Sequence, residues 1–168
     1  TLSNAVFGST LSAPSISSVS ATTATSPSDT QTYSYVATSV TDDQIDESVA
    51  STASTATNQL FDTGAKNTIT FADAARRNVY KLSGGLYGYI GQTTTATLVD
   101  DNIAADISRT PPDNQNPFAS DYPRTVAYFE QRKCFAGTAG LPQTLWLTKT
   151  GTEANLDYSI PVRSDDAI

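Results

Sequence analysis

Short runs of β-branched, aromatic and small residues recur about every 10 to 15 positions through the first hundred residues, each closed by a turn signal. Strands at that spacing favour an all-β chain, most simply a small sandwich. The clearest run is 32–40, where Tyr33, Tyr35 and Ala37 alternate at period two on one face. A second is 67–71, with Ile69 and Phe71 on one face. Runs 78–82 and 86–91 flank Ser83-Gly84-Gly85, a glycine turn of the hairpin kind. Residues 14–21, 48–57 and 95–99 complete the set as weaker strands. Two turns separate the early runs, at 22–29 around Pro27 and at 41–47, and the second joins 32–40 to 48–57 as a hairpin. Tyr33 and Phe71 are the expected core anchors.

At 168 residues the chain is one domain, or one plus a fragment. It starts at Thr1 without Met and stops at Ile168 in mid-pattern, which reads as a piece of a longer protein. Hydrophobic residues at 38% and charged residues at 16% both fall below globular averages. Ser, Thr and Ala fill the deficit, which suits strands with small polar faces better than helices. No apolar run approaches the roughly 18 residues of a membrane-spanning helix, and no basic-then-apolar leader is visible.

The net charge of -7 is uneven: no Lys or Arg precedes Lys66, whereas Asp29, Asp42, Asp43, Asp46, Glu47 and Asp62 do. An acidic face disfavours nucleic-acid backbones and anionic membrane surfaces, which need clustered cations. A single cysteine, Cys134, rules out an internal disulfide and a multi-cysteine zinc site. Histidine is absent, so no Ser-His or Cys-His triad can form within the chain.

Residues 100–123 change character. Pro111, Pro112 and Pro117, with Asp106, Asp113 and Asn116, cannot sustain a ladder, so this stretch reads as an arm lying on the domain. Phe118 is its aromatic anchor. Residues 125–135 then form the strongest single strand, paired through a loop at 136–142 with 144–148. That hairpin carries too many apolar groups to stand free, so residues 123–160 are expected to be docked.

Two resemblances follow from particular blocks. The segments TYSYVATSV, DESVAS, NVYKLSGGLYGYIGQT and LVDDNI resemble fibronectin type III-like sandwiches. Tyr33 resembles that fold's corner tyrosine, and Phe71 sits where its early-strand tryptophan falls. The block resembling the last two strands precedes the block resembling the second to fifth, which implies a permuted or interleaved sandwich. Residues 100–168 are similar to the nozzle (tail tubular protein B-like) family of tailed bacteriophages. The likeness rests on Tyr122-Pro123, Tyr128-Phe129, Gln131-Arg132, Phe135-Ala136-Gly137-Thr138, Pro142-Gln143-Thr144, Trp146 and Thr150-Gly151. It implies a virion structural protein in which this hairpin opens a further β-rich platform. It supplies no catalytic residues.

Asp42, Asp43, Asp46 and Glu47 offer oxygen ligands for calcium, without the spacing of an EF-hand; a solvated turn is the simpler reading. Asp100, Asp101, Asn102 and Asp106 read as loop residues bonding their own backbone. Gly84, Gly85, Gly88 and Gly91 lack the Lys and helix of a phosphate loop. Tyr80, Tyr87, Tyr89 and Trp146 offer a sugar-stacking surface or, more simply, half-buried strand aromatics. Cys134, sharing a strand face with Tyr128 and Arg132, reads as a small buried hydrophobe. Arg76-Arg77 and Arg132-Lys133 read as ion-pair partners for neighbouring subunits.

The sequence therefore predicts a lead-in at 1–11, a fibronectin III-like sandwich at 12–102, a proline-rich arm at 103–122 and a β-hairpin segment at 123–168. The expected function is non-enzymatic: a structural or interaction module of a phage or prophage tail protein, with other virion subunits as partners and a homo-oligomer in the parent assembly. A carbohydrate-binding accessory domain for host attachment is the alternative. No catalytic, cofactor-binding or metal-ligating residue is assigned, no cofactor, nucleic acid or membrane is expected, and the location is the virion or the host cytoplasm during assembly.

Overall fold

In a computed structural model describing residues 7–9, 11–24, 29–113 and 116–168, the chain folds into three antiparallel sheets, with no helix among the described residues. The strands are β1 (Ile16–Thr22), β2 (Gln31–Ser39), β3 (Ser54–Asn58), β4 (Lys66–Phe71), β5 (Arg77–Ser83), β6 (Leu86–Thr93), β7 (Thr97–Asp100), β8 (Thr125–Phe129), β9 (Arg132–Ala136) and β10 (Leu145–Leu147). The first seven make two sheets, ordered β1-β4-β7 and β3-β2-β5-β6. The last three make a meander ordered β10-β9-β8.

The two larger sheets pack as a sandwich. Alternation along β2, β4, β5 and β6 sends Tyr35, Ala37, Ile69, Phe71, Val79 and Ile90 into one buried cluster between them. Ile16, Val19 and Leu98 close it from the smaller sheet. Phe71 is the buried anchor its period predicts. Tyr33 is only partly buried and its hydroxyl is enclosed without a hydrogen-bond partner among the described residues, so it does not act as a corner tyrosine there. The fully buried tyrosine of that face is Tyr35. Gly84 and Gly85 turn the β5–β6 hairpin with φ of 60° and 89°, where glycine alone is unstrained.

The hairpin joining β2 to β3 forms, but its second strand is short. Pairing runs only from Gln31↔Asn58 to Tyr35↔Ser54. Farther along, serine hydroxyls take the place of ladder carbonyls: Ala37 N–H donates to Ser51 Oγ (3.0 Å) and Ser39 N–H to Ser48 Oγ (2.9 Å). A side chain that occupies the amide of the neighbouring strand displaces regular pairing, so residues 48–53 follow β2 without being a strand. The turn expected at 22–29 around Pro27 lies partly outside the described residues, as does much of the lead-in at 1–11.

The four-stranded sheet is buried on its outer face as well. Val36, Thr38, Asn78 and Tyr80 are all enclosed there, and Arg109 lies over the Tyr89 ring at 4.0 Å. The chain after β7 bonds to the free edge of β6. Tyr89 and Asp106 exchange backbone bonds of 3.0 and 2.9 Å. A β-carbon on Gly88 would stand 2.9 Å from the Asp106 carbonyl carbon, so this crossing needs glycine.

Residues 125–135 are not one strand. β8 ends at Phe129 and β9 starts at Arg132, with Glu130 and Gln131 at φ of 45° and 62° forming a two-residue turn. The run therefore folds back on itself, and β10 adds as a third strand. Behind this sheet Phe118 is the hub of an aromatic cluster. Its ring meets Phe7, Phe135 and Trp146 edge-on at centroid distances of 4.9, 5.3 and 5.1 Å. Phe118 does anchor its segment, but against the meander and not against the sandwich.

Candidate interaction surface

The meander is covered on only part of its area. Cross-strand register puts Val126, Tyr128, Lys133, Phe135 and Trp146 on one face. Phe135 and Trp146 enter the aromatic cluster, while Val126 and Tyr128 at the β8 edge are 58% and 68% exposed. The opposite face carries Ala127, Phe129, Cys134, Leu145 and Leu147, with Phe129 61% exposed. Tyr128 thus shares its face with Lys133, whose ammonium sits 5.4 Å from its ring, and not with Cys134 and Arg132. A shallow hollow of about 490 Å³ opens beside Arg124, Val126, Lys133 and Phe135. All five β8 residues are exposed and none is charged.

The chain's own polar groups are spent elsewhere, in two buried networks. Asp100, fully enclosed at the end of β7, receives the Lys81 ammonium (2.9 Å), the Tyr35 hydroxyl (2.8 Å) and the Ile103 amide (2.7 Å). Asn67 donates to the Tyr35 oxygen (2.8 Å) and receives Asn58 (2.9 Å), which ties β7, β5, β2, β4 and β3 together. Burial, and then the Asp100 carboxylate, push the Tyr35 phenol above its ordinary range despite the Asn67 bond. The second network centres on Glu47, which is 5% exposed. It accepts from Thr38 (2.5 Å), Asn78 (2.9 Å) and Tyr80, with Arg163 at 3.9 Å. Burial and the neighbouring Glu47 charge raise the Tyr80 phenol likewise. Asp46 beside it accepts from Ser9 (3.1 Å) and Asn155 (2.6 Å).

The acidic turn at 42–47 is therefore the seam where the C-terminal lobe meets the sandwich. Asp43 caps the turn through Thr41 (2.5 Å) and the Ile45 amide (3.1 Å), and Asp42 stands 3.7 Å from Arg76. Among the described residues no three His, Cys, Asp or Glu side chains converge as metal ligands. Asp100 and Asp106 part company, since Asp106 bonds Ser108 in a local turn while Asp100 is interior. The four aromatics offered for sugar stacking are not brought to one surface. Tyr80 is fully buried, Tyr87 bonds Ser34 (2.9 Å), Tyr89 lies under Arg109 and Trp146 belongs to the other cluster.

The basic pairs are likewise bonded within the chain. Arg77 bonds Asp73 (2.6 Å), Lys133 reaches Glu153 (3.3 Å), and Arg132 donates to the carbonyls of Thr148, Asp166 and Ser164 at 3.1, 2.6 and 2.8 Å. They staple the chain to itself. What the sequence missed is the β8 edge, because the Glu130-Gln131 turn carries no glycine, asparagine or aspartate to announce it. Among the described residues no helix is long and apolar enough to cross a membrane. No family model, curated protein or solved structure matches the chain.

Proposed function

We propose that the chain is a non-catalytic structural module of a tailed-phage or prophage virion protein, working by subunit packing and surface display. The observation that carries this reading is the uncovered β8 edge with Val126, Tyr128 and Phe129 exposed. Monomeric proteins blunt such edges with charge, proline or a covering segment, and contiguous exposed apolar surface marks interaction sites. The resemblance of 100–168 to the nozzle family supplies the assembly. The interior carboxylates Asp100, Glu47, Asp157 and Asp166 accept hydrogen bonds from donors of the chain itself, which supports a load-carrying role over a catalytic one.

We read the sandwich as fibronectin III-like and permuted. The order β3-β2-β5-β6 against β1-β4-β7 supports this. It is the arrangement expected if β2 and β3 stand for the last two strands of that fold and β4 to β7 for the second to fifth. Partners are then other tail subunits in a homo-oligomeric assembly, in the virion or in the host cytoplasm before release. Glycan binding has less support, because its aromatic platform is dispersed.

Antibodies raised against the chain test the reading on purified tailed particles from cells carrying the parent gene. Labelling at one position along the tail, with the chain's peptides recovered from those particles, is expected. Recovery of the antigen only from fractions without particles overturns it.

A further inference from the structure

The geometry points to a second copy of this chain as the partner at β8: two chains pair their β8 strands antiparallel about a twofold axis through Ala127, joining two three-stranded meanders into one six-stranded sheet. This rests on the subunit-packing reading above and names the partner.

The backbone sets which groups are free. Phe129 and Arg132 flank a two-residue turn, and the pair flanking such a turn exchanges both its hydrogen bonds. Bonding alternates from there, so Thr125, Ala127 and Phe129 turn their amides and carbonyls toward β9. Val126 and Tyr128 turn theirs away from the sheet. A twofold axis at Ala127 sets Val126 of each chain opposite Tyr128 of the other, and all of these outward groups are then paired. The side chains that meet are one β-branched and one aromatic, a favourable cross-strand pair, and both are now exposed.

Charge selects the same register. With Ala127 on the axis, Arg124 of each chain faces Glu130 of the other, at both ends of the paired strands. Both side chains are exposed, and among the described residues neither holds an ion pair in its own chain. Moving the axis to Tyr128 would carry Arg124 past the end of the partner's β8, which stops at Phe129, and moving it to Val126 would leave Glu130 opposite Tyr122. The assembly also closes at two through this sheet, because the far edge strand, β10, exchanges bonds of 2.8 and 3.0 Å between Leu147 and Ile168. Five residues of strand cover less than the roughly 800 Å² per partner of a standard interface, so association is weak in dilute solution and strengthened where a parent assembly concentrates the chains.

Sedimentation equilibrium on the full chain, from about 10 μM to about 1 mM, spans the range for an interface this small. A concentration-dependent dimer is expected. Val126→Pro removes an outward amide from an edge strand, a position that tolerates proline. It should weaken the dimer at least about tenfold, as loss of one or more hydrogen bonds implies, with thermal unfolding confirming the fold. Should that variant fail to fold, Arg124→Glu and Glu130→Arg decide instead. Each alone weakens the dimer, and the two together restore it. A monomer throughout, an oligomer indifferent to these changes, or a charge swap without rescue overturns the pairing. Failure here leaves particle labelling untouched, and failed labelling beside a verified dimer defeats only the virion reading.

Discussion

Tyr33 and Tyr35 stand two positions apart on one face of β2, yet their hydroxyls have opposite fates. Tyr35 donates to the buried Asp100 carboxylate at 2.8 Å, while the Tyr33 oxygen is enclosed with no partner among the described residues. Period-two patterning assigns both to the inner face and cannot tell them apart, because the difference lies in β7, a strand far away in sequence. Removing an unpaired buried hydroxyl relieves a desolvation cost, whereas removing a bond to a buried charge forfeits it. In urea unfolding, Tyr33→Phe should therefore be neutral or stabilising. Tyr35→Phe should cost about 1.5 to 3 kcal/mol, the range for a hydrogen bond to a charged group. Lys81→Met is the harsher test of the same network. It leaves Asp100 as an uncompensated interior charge, and breaking such a pair costs about 3 to 5 kcal/mol. A loss under 1 kcal/mol would mean that the Lys81–Asp100 pair does not hold this network together.

Strands β2, β4, β5 and β6 were legible because their pattern is local: β-branched and aromatic residues alternating, with two glycines at the one tight turn. The β8–β9 turn was not, because Glu130 and Gln131 take positive φ without the residues that do so at low cost. The outer face of the larger sheet was hidden for another reason. It is buried by polar residues such as Thr38, Asn78 and Glu47, which composition assigns to solvent. At this scale one element has a pH signature. Asp121 holds the 138–140 loop, with bonds from the amides of Ala139 (3.0 Å) and Gly140 (2.7 Å). The Thr138 hydroxyl first, then the Gly140 amide and, less, the Ala139 amide hold its carboxyl below the usual range, against the opposing effect of burial. A depressed carboxylate contributes stability above its unfolded pKa, near 3.9, and loses it as pH falls through the lower folded value. Amide exchange at Ala139 and Gly140, corrected for intrinsic rates, should stay protected from neutral pH down to about 4 and open below it. In Asp121→Asn that acid step should disappear.

Two hydrophobic clusters, one between the sandwich sheets and one around Phe118, divide the molecule, and what joins them is polar. Glu47 with Arg163, Asp46 with Ser9 and Asn155, and the Asp113–Tyr158 bridge all cross the seam. The cluster around Phe118 has few members: Phe7, Phe118, Phe135, Leu156 and Ala167, with Trp146 at its side. A core this small holds only if its hub is intact, and it gains stability from the seam because opening the lobe would expose Glu47. The native chain should therefore unfold in one step, with fluorescence of Trp146, the sole tryptophan, changing together with far-ultraviolet circular dichroism. Phe118→Ala removes three ring contacts at once, at a typical cost of about 3 to 5 kcal/mol. That loss falls on the lobe alone, since Phe118 is no member of the sandwich cluster. The tryptophan transition should then move to lower denaturant, while most of the dichroism signal, carried by the seven strands of the sandwich, stays near its original midpoint. Coincident transitions displaced together would show that the seam couples the two cores into one cooperative unit even when the smaller is broken, and would put the lobe's stability in the polar contacts at Glu47 and Asp46.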